Sequence, residues 1–169
     1  HEVFFAAHGV DLPTEQLLPG ETLTEFASRQ HLTPVYLARL NGLTSSEVPA
    51  RMQLRVVPGP FGLIVERQTL RLTVHCNGYF VRAYRILQPL PQLDETQSLN
   101  LQATSRSAEF PGPLWFATAT APVGVFVTAD PAGRQGADLP VGAVSIQVSR
   151  ADLSELHDLL VPQAELSFR

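Results

Sequence analysis

The sequence predicts an α+β protein: a small βααβ unit over residues 17–58, then a mainly-β domain over residues 61–169 with a C-terminal helix. Three observations carry this reading. Two short segments between turn signals have helical start and stop chemistry. From Phe61 onward the apolar residues recur at every second position, the period of a half-buried strand. Ser149, followed by Leu153, Leu156 and Leu160, then announces one more helix. Residues 1–16 read as an N-terminal extension.

Each element has a local cause. Leu18-Pro19-Gly20-Glu21 is a turn, and Thr22 with Glu25 three residues on forms a capping box that satisfies two orphan amides of a first helix. Leu23, Phe26 and Ala27 share one face of that helix and must pack against something. Thr33-Pro34 opens a second helix, with a capping hydroxyl and a proline at the position where its missing N–H costs nothing. Leu37 and Leu40 supply its apolar stripe, and Asn41-Gly42 ends it. Gln53 to Val57 alternates as a strand and halts at Pro58-Gly59-Pro60, an interdomain hinge or tight linker.

In the second domain Leu70, Leu72 and Val74 alternate with Arg71, Thr73 and His75, and Asn77-Gly78 is a strong hairpin signal returning through Tyr79 to Ile86. Leu63 to Glu66 is expected to pair beside them. Residues 88–110 carry no sustained periodicity. Strands resume at Leu114 to Ala117 and Val123 to Val127. Ser149 caps the last helix, Pro162 stops it, and Ala164 to Phe168 closes as a strand.

Composition excludes several classes. A net charge of −4 argues against a nucleic-acid binder that works by counterion release. All twelve basic residues are arginines, so no lysine can act as a Schiff base or general base. The single cysteine, Cys76, rules out an internal disulfide and reads as a partly buried apolar residue beside a turn. No apolar run approaches the roughly 20 residues that span a bilayer. Val3 to Ala7 is too short for a signal peptide, so a mature chain or fragment is expected, with any targeting information cut off. No pair among His1, His8, His31, His75 and His157 has a recognisable metal spacing, and nothing calls for a cofactor. Asp138, Asp152 and Asp158 read as turn, cap and solvated helix surface.

With Pro19-Gly20-Glu21-Thr22-Leu23 and Asn41-Gly42-Leu43 at its two loops, the first unit resembles a LysM domain over its whole length. The resemblance implies binding of peptidoglycan or another N-acetylglucosamine-containing glycan in a shallow groove. The implied contacts are Gly20, Glu21, Thr22, Leu23, Asn41, Gly42 and Leu43. The usual Pro-Gly-Gln before the last strand appears here as Ala50-Arg51-Met52-Gln53, an altered second loop. Small grooves desolvate polyhydroxyl ligands with few converging side chains, so binding in use would lean on multivalency.

The stretch Val141 to Asp152 resembles the nucleophile segment of L,D-transpeptidase (YkuD-type) domains, in which Ser-His-Gly-Cys-Ile-Arg runs into a capped helix. Laid on that pattern, the family's Cys falls on Ser145, its adjacent His on Ala143, its Gly on Val144 and its Arg on Gln147. A second family His, in a His-Gly-Thr segment, falls on Phe126 in Phe126-Val127-Thr128. Transpeptidation needs a thiolate, an imidazole to take its proton and donors for the oxyanion. An alcohol at Ser145 makes the base more necessary, and the base position is Ala143.

The resemblance therefore implies a non-catalytic cell-envelope protein, exported to the periplasm or outside, anchored on peptidoglycan and offering its larger domain as a scaffold or a surface for an envelope protein partner. Two alternatives stay open. One is a diverged transpeptidase or hydrolase using Ser145 with a distant histidine such as His75. The other is a protein-interaction module with no glycan binding.

Overall fold

In the computed structural model the described residues are 12–44, 49, 51–57, 59–77, 79–90, 98–106, 111–118, 124–129 and 143–169. The first unit is built as β1 (Thr14–Gln16), α1 (Leu23–Arg29), α2 (Pro34–Leu40) and β2 (Gln53–Arg55). β1 and β2 pair antiparallel, Thr14 opposite Arg55 and Gln16 opposite Gln53. The first strand thus lies inside the segment that the sequence assigned to the 1–16 extension. Its three residues are mostly exposed polar ones, so no apolar alternation announced it.

The helix ends follow the expected chemistry. Thr22 accepts from the Glu25 amide while the Glu25 carboxylate reaches back to the Thr22 amide, a complete capping box. Thr33 caps α2 through the Tyr36 amide, and Gly42 follows the last turn with φ +65. Phe26 and Ala27 of α1 and Leu37 of α2 are fully buried.

The remaining strands are β3 (Phe61–Glu66), β4 (Arg71–Cys76), β5 (Tyr79–Arg85), β6 (Leu99–Arg106), β7 (Pro111–Ala117), β8 (Gly124–Thr128), β9 (Val144–Gln147) and β10 (Glu165–Phe168), with α3 (Arg150–Leu159) between the last two. They form one sheet in the order β5-β4-β3-β10-β6-β7-β8-β9. The hairpin at Asn77 is as the sequence predicts, Asn77 taking φ 50; its partner Gly78 is outside the described residues. β6 falls in the stretch that showed no periodicity, and its register to β7 slips twice, which breaks the alternation a sequence pattern needs. The chain's last strand is central: β10 runs parallel to β3 and antiparallel to β6.

The sheet is curled. The Leu87 amide, just past edge strand β5, donates to the Gln147 carbonyl of the opposite edge strand β9 at 2.8 Å. The Gln88 side-chain amide donates to the Ser145 carbonyl at 2.8 Å, so both ends of the sheet are drawn together.

The two units share one hydrophobic cluster, running from Leu23 and Leu37 through Val56, Val57 and Phe61 to Leu156 and Leu166. The described part of the linker, Gly59-Pro60, is accordingly tight and not a hinge. Gly59 donates to the Gln30 carbonyl at 3.1 Å, and a Cβ there would overlap the His31 carbonyl. Tyr36 of α2 meets Phe61 of β3 edge to face, centroids 5.2 Å apart, an arrangement worth about 0.5–1.5 kcal/mol beyond area burial.

α2 also docks on α3. The Arg39 guanidinium donates to the Asp158 carboxylate at 2.8 Å, and the Thr33 hydroxyl donates to the Asp158 carbonyl. Asp158 is only 6% exposed, which corrects the expectation of a solvated helix surface. The acidic residue is on the face that α2 covers, and a carboxylate there needs the Arg39 partner to offset its desolvation. His157 is buried as expected of a structural histidine, its Nε2 2.7 Å from the Gly112 carbonyl.

Candidate functional site

The first candidate is the pair of loops in the βααβ unit. The Leu17 amide donates to the Met52 carbonyl, so the loop after β1 and the loop before β2 leave the two-stranded sheet at the same end. Gly20, at φ +82, turns the first loop in a conformation that L side chains rarely adopt. Glu21 accepts from the Leu18 amide at 2.8 Å and from Arg29, whose guanidinium also pairs with Glu15 of β1 at 3.0 Å. The Arg29 hydrogen bond, then the Leu18 amide, hold the Glu21 carboxyl below the usual carboxylate range.

Several expected sugar contacts have work inside the fold. Thr22 is the helix cap. Leu23 is 3% exposed and belongs to the core, so it cannot face a ligand. The Asn41 side chain donates to the Leu37 and Arg55 carbonyls and accepts from the Arg55 amide, tying the end of α2 to β2. Leu43 is half-buried against the core, while Gly20 and Gly42 are exposed. Among the described residues these loops present outward Pro19, Gly20, Thr22, Gly42 and Leu18, a large apolar side chain 58% exposed.

A pH prediction follows from the loop. Glu21 and Glu25 both have folded-state carboxyls lowered, Glu25 chiefly by the Thr22 amide. Their contribution is present above the unfolded carboxylate range and is lost as pH falls through the lower folded values. The thermal midpoint is expected to fall between about pH 5 and pH 3, and to fall less in Glu21→Gln. A titration of midpoint against pH, wild type beside the variant, checks it; parallel curves would reject the assignment.

The second candidate is the segment whose sequence resembles a nucleophile motif. Ala143 precedes β9, and Val144, Ser145 and Gln147 lie in it, paired parallel with β8. The register sets Ser145 beside Phe126 and Gln147 beside Thr128. Ser149 caps α3 by accepting from the Asp152 amide at 3.1 Å, so the strand, cap and helix expected around the motif are all present. Ile146 and Val148 are fully buried, and the alternation places Ser145 and Gln147 on the other face.

The distant histidine weighed as a base for Ser145 is engaged elsewhere. His75 Nε2 and Thr73 Oγ1 are 3.0 Å apart in β4, and the His75 ring stands edge-on to Phe80. Burial, then the Arg169 charge, depress the His75 pKa. Neither His75 nor His157 hydrogen-bonds Ser145.

Two neighbours of this segment were not foreseen. Gln88 reaches the Ser145 carbonyl from the far edge of the sheet. Trp115 of β7 lies opposite Phe126, so Trp115, Phe126 and Ser145 form one cross-strand row. Period-two counting from the buried Leu114 and Phe116 puts Trp115 on the outer face, but only the strand register reveals its neighbours.

No family model matches the chain, and no curated protein sequence matches it. Structural neighbours are L,D-transpeptidase domains at low identity. One is an L,D-transpeptidase from Mycobacterium smegmatis, with TM-score 0.39 and 13% identity over 64% of this chain and 58% of that one. Another is L,D-transpeptidase 1 of Mycobacterium tuberculosis, with TM-score 0.42 and 12% identity over 70% of this chain and 67% of that one. An L,D-transpeptidase from Xylanimonas cellulosilytica has TM-score 0.40 and 10% identity over 95% of this chain and 98% of that one. The chain spans 58% of the first of these. At such identities the likeness assigns no role to any residue. Among the described residues no helix is long and apolar enough to cross a membrane.

Proposed function

We propose that this is a non-catalytic cell-envelope protein that holds peptidoglycan through its βααβ unit, a LysM-like module, while its larger domain serves as a transpeptidase-like scaffold. The observation that carries the reading is the motif from Ser145 to Asp152. Strand, serine cap and helix stand in the order of a YkuD-type nucleophile segment, whereas the thiol and both imidazole positions are Ser145, Ala143 and Phe126. At the two positions where the resemblance puts an imidazole, Ala143 and Phe126 supply no group to take the proton of the Ser145 alcohol. Export to the envelope and the search for an envelope protein partner follow from the same reading.

The competing reading, a protein-interaction module without glycan binding, is favoured by the internal duties of Glu21, Thr22 and Asn41. Those duties also dictate the test. Thr22→Ala would remove a cap worth about 1 kcal/mol, so a loss of binding there would be ambiguous. Leu18→Asp alters the exposed first loop without touching a cap. Purified protein is expected to sediment with intact sacculi, and Leu18→Asp to sediment less while its circular dichroism is unchanged. Folded wild type that stays in the supernatant would overturn the glycan reading and leave the protein-interaction one.

A further inference from the structure

The outer face of β7, β8 and β9 carries a constellation that the glycan loops do not account for. Trp115 and Phe126 stack with ring centroids 4.1 Å apart and planes inclined by 33°. A Cβ on Gly124 would overlap the six-membered ring of the indole, so the bare backbone of β8 makes room for the Trp115 ring. Both rings remain partly exposed, on the face turned away from the buried Leu114, Phe116, Val125 and Val127. The strand registers set Ser145 at the end of the aromatic row, and Thr128 and Gln147 in the next row.

We infer that this face is a second, independent subsite for an uncharged sugar ring. The physical match is specific. A pyranose has one face of apolar C–H groups, which suits the partly exposed Trp115–Phe126 stack with its electron-rich π-faces. Its equatorial hydroxyls need donors and acceptors at the rim, which the Ser145 hydroxyl and the Gln147 amide can supply. None of the described residues Trp115, Phe126, Thr128, Ser145 and Gln147 is ionisable at neutral pH, so these side chains complement a neutral ring and offer no counter-charge to an acidic peptide. Phe126, which the resemblance lays on a family histidine, extends the aromatic pair toward Ser145. The inference needs nothing from the first unit, and both subsites on one chain would lengthen residence on a polymeric glycan.

Trp115 is the chain's one tryptophan, so the site carries its own reporter. The test is a fluorescence titration of the full chain with tetra-N-acetylchitotetraose, repeated with Leu18→Asp and with Phe126→Leu, a variant that keeps an apolar side chain in the row. A saturable change in Trp115 emission is expected, retained in Leu18→Asp and weakened up to about tenfold in Phe126→Leu, the scale of one aromatic contact. Emission that does not change up to about 10 mM ligand would overturn the inference. So would a change that is lost in Leu18→Asp and kept in Phe126→Leu. Sacculus binding with silent Trp115 emission would remove this subsite and leave the loop reading intact.

Discussion

Deletion of residues 165–169 is expected to abolish cooperative folding of the whole chain. These residues comprise β10 (Glu165–Phe168) and Arg169; β10 occupies the middle of the sheet, pairing Leu166 with Leu63 on one side and with Leu99 on the other. Leu166 is fully buried and Phe168 nearly so; burying such side chains contributes about 1.5–3 kcal/mol each. Their loss would also leave β3 and β6 with unpaired facing edges in the interior of the sheet, where backbone groups without partners are costly. The Arg169 amide and carbonyl, bonded to Val65 and Arg67, would be lost as well. Since a whole domain is stable by only about 5–15 kcal/mol, the sum exceeds what the sheet can lose. The shortened chain should lack near-ultraviolet circular dichroism and bind a hydrophobic dye. A sharp two-state thermal transition in it would refute the central placement of β10. The milder Leu166→Ala should remain folded, with a loss of about 2–5 kcal/mol by denaturant titration.

That centrality was invisible in the sequence, and the reason is general to sheets. Local chemistry gave both helix caps of the first unit, the Asn77 turn and the Ser149 cap, because each involves residues within a few positions of one another. Strand order depends on pairings across the chain, such as β10 inserted between β3 and β6, and no short-range pattern encodes them. The same limit hid part of the candidate site. Phe126 and Ser145 were both picked out by their places in a motif, yet their side-by-side register and the arrival of Trp115 needed the sheet. Asp158 was misjudged because a charged residue in a helix is usually on a solvated face. Only the docking of α2, with Arg39 and Thr33, makes burial tolerable.

Phe61→Ala should lower stability by about 3–5 kcal/mol and, more tellingly, should lower it for both units at once. Phe61 is 1% exposed and begins β3 directly after the linker, with Tyr36 of α2 against its ring. It sits where the cluster of the βααβ unit becomes the cluster of the sheet, so its removal opens a cavity belonging to both. For a chain of this size each kcal/mol moves the midpoint by about 2–4 °C, giving a fall on the order of 6–20 °C. If the units are one cooperative body, Trp115 emission from the sheet and amide exchange at Leu37 and Leu54 in the first unit should report the same transition before and after the substitution. A swinging module would behave otherwise, with first-unit amides opening early and the Trp115 transition unmoved. The coupled result has a functional meaning. On the glycan reading proposed above, the loops of the βααβ unit would then be held at a fixed orientation to the Trp115 face, and one strand could engage both without the cost of domain ordering.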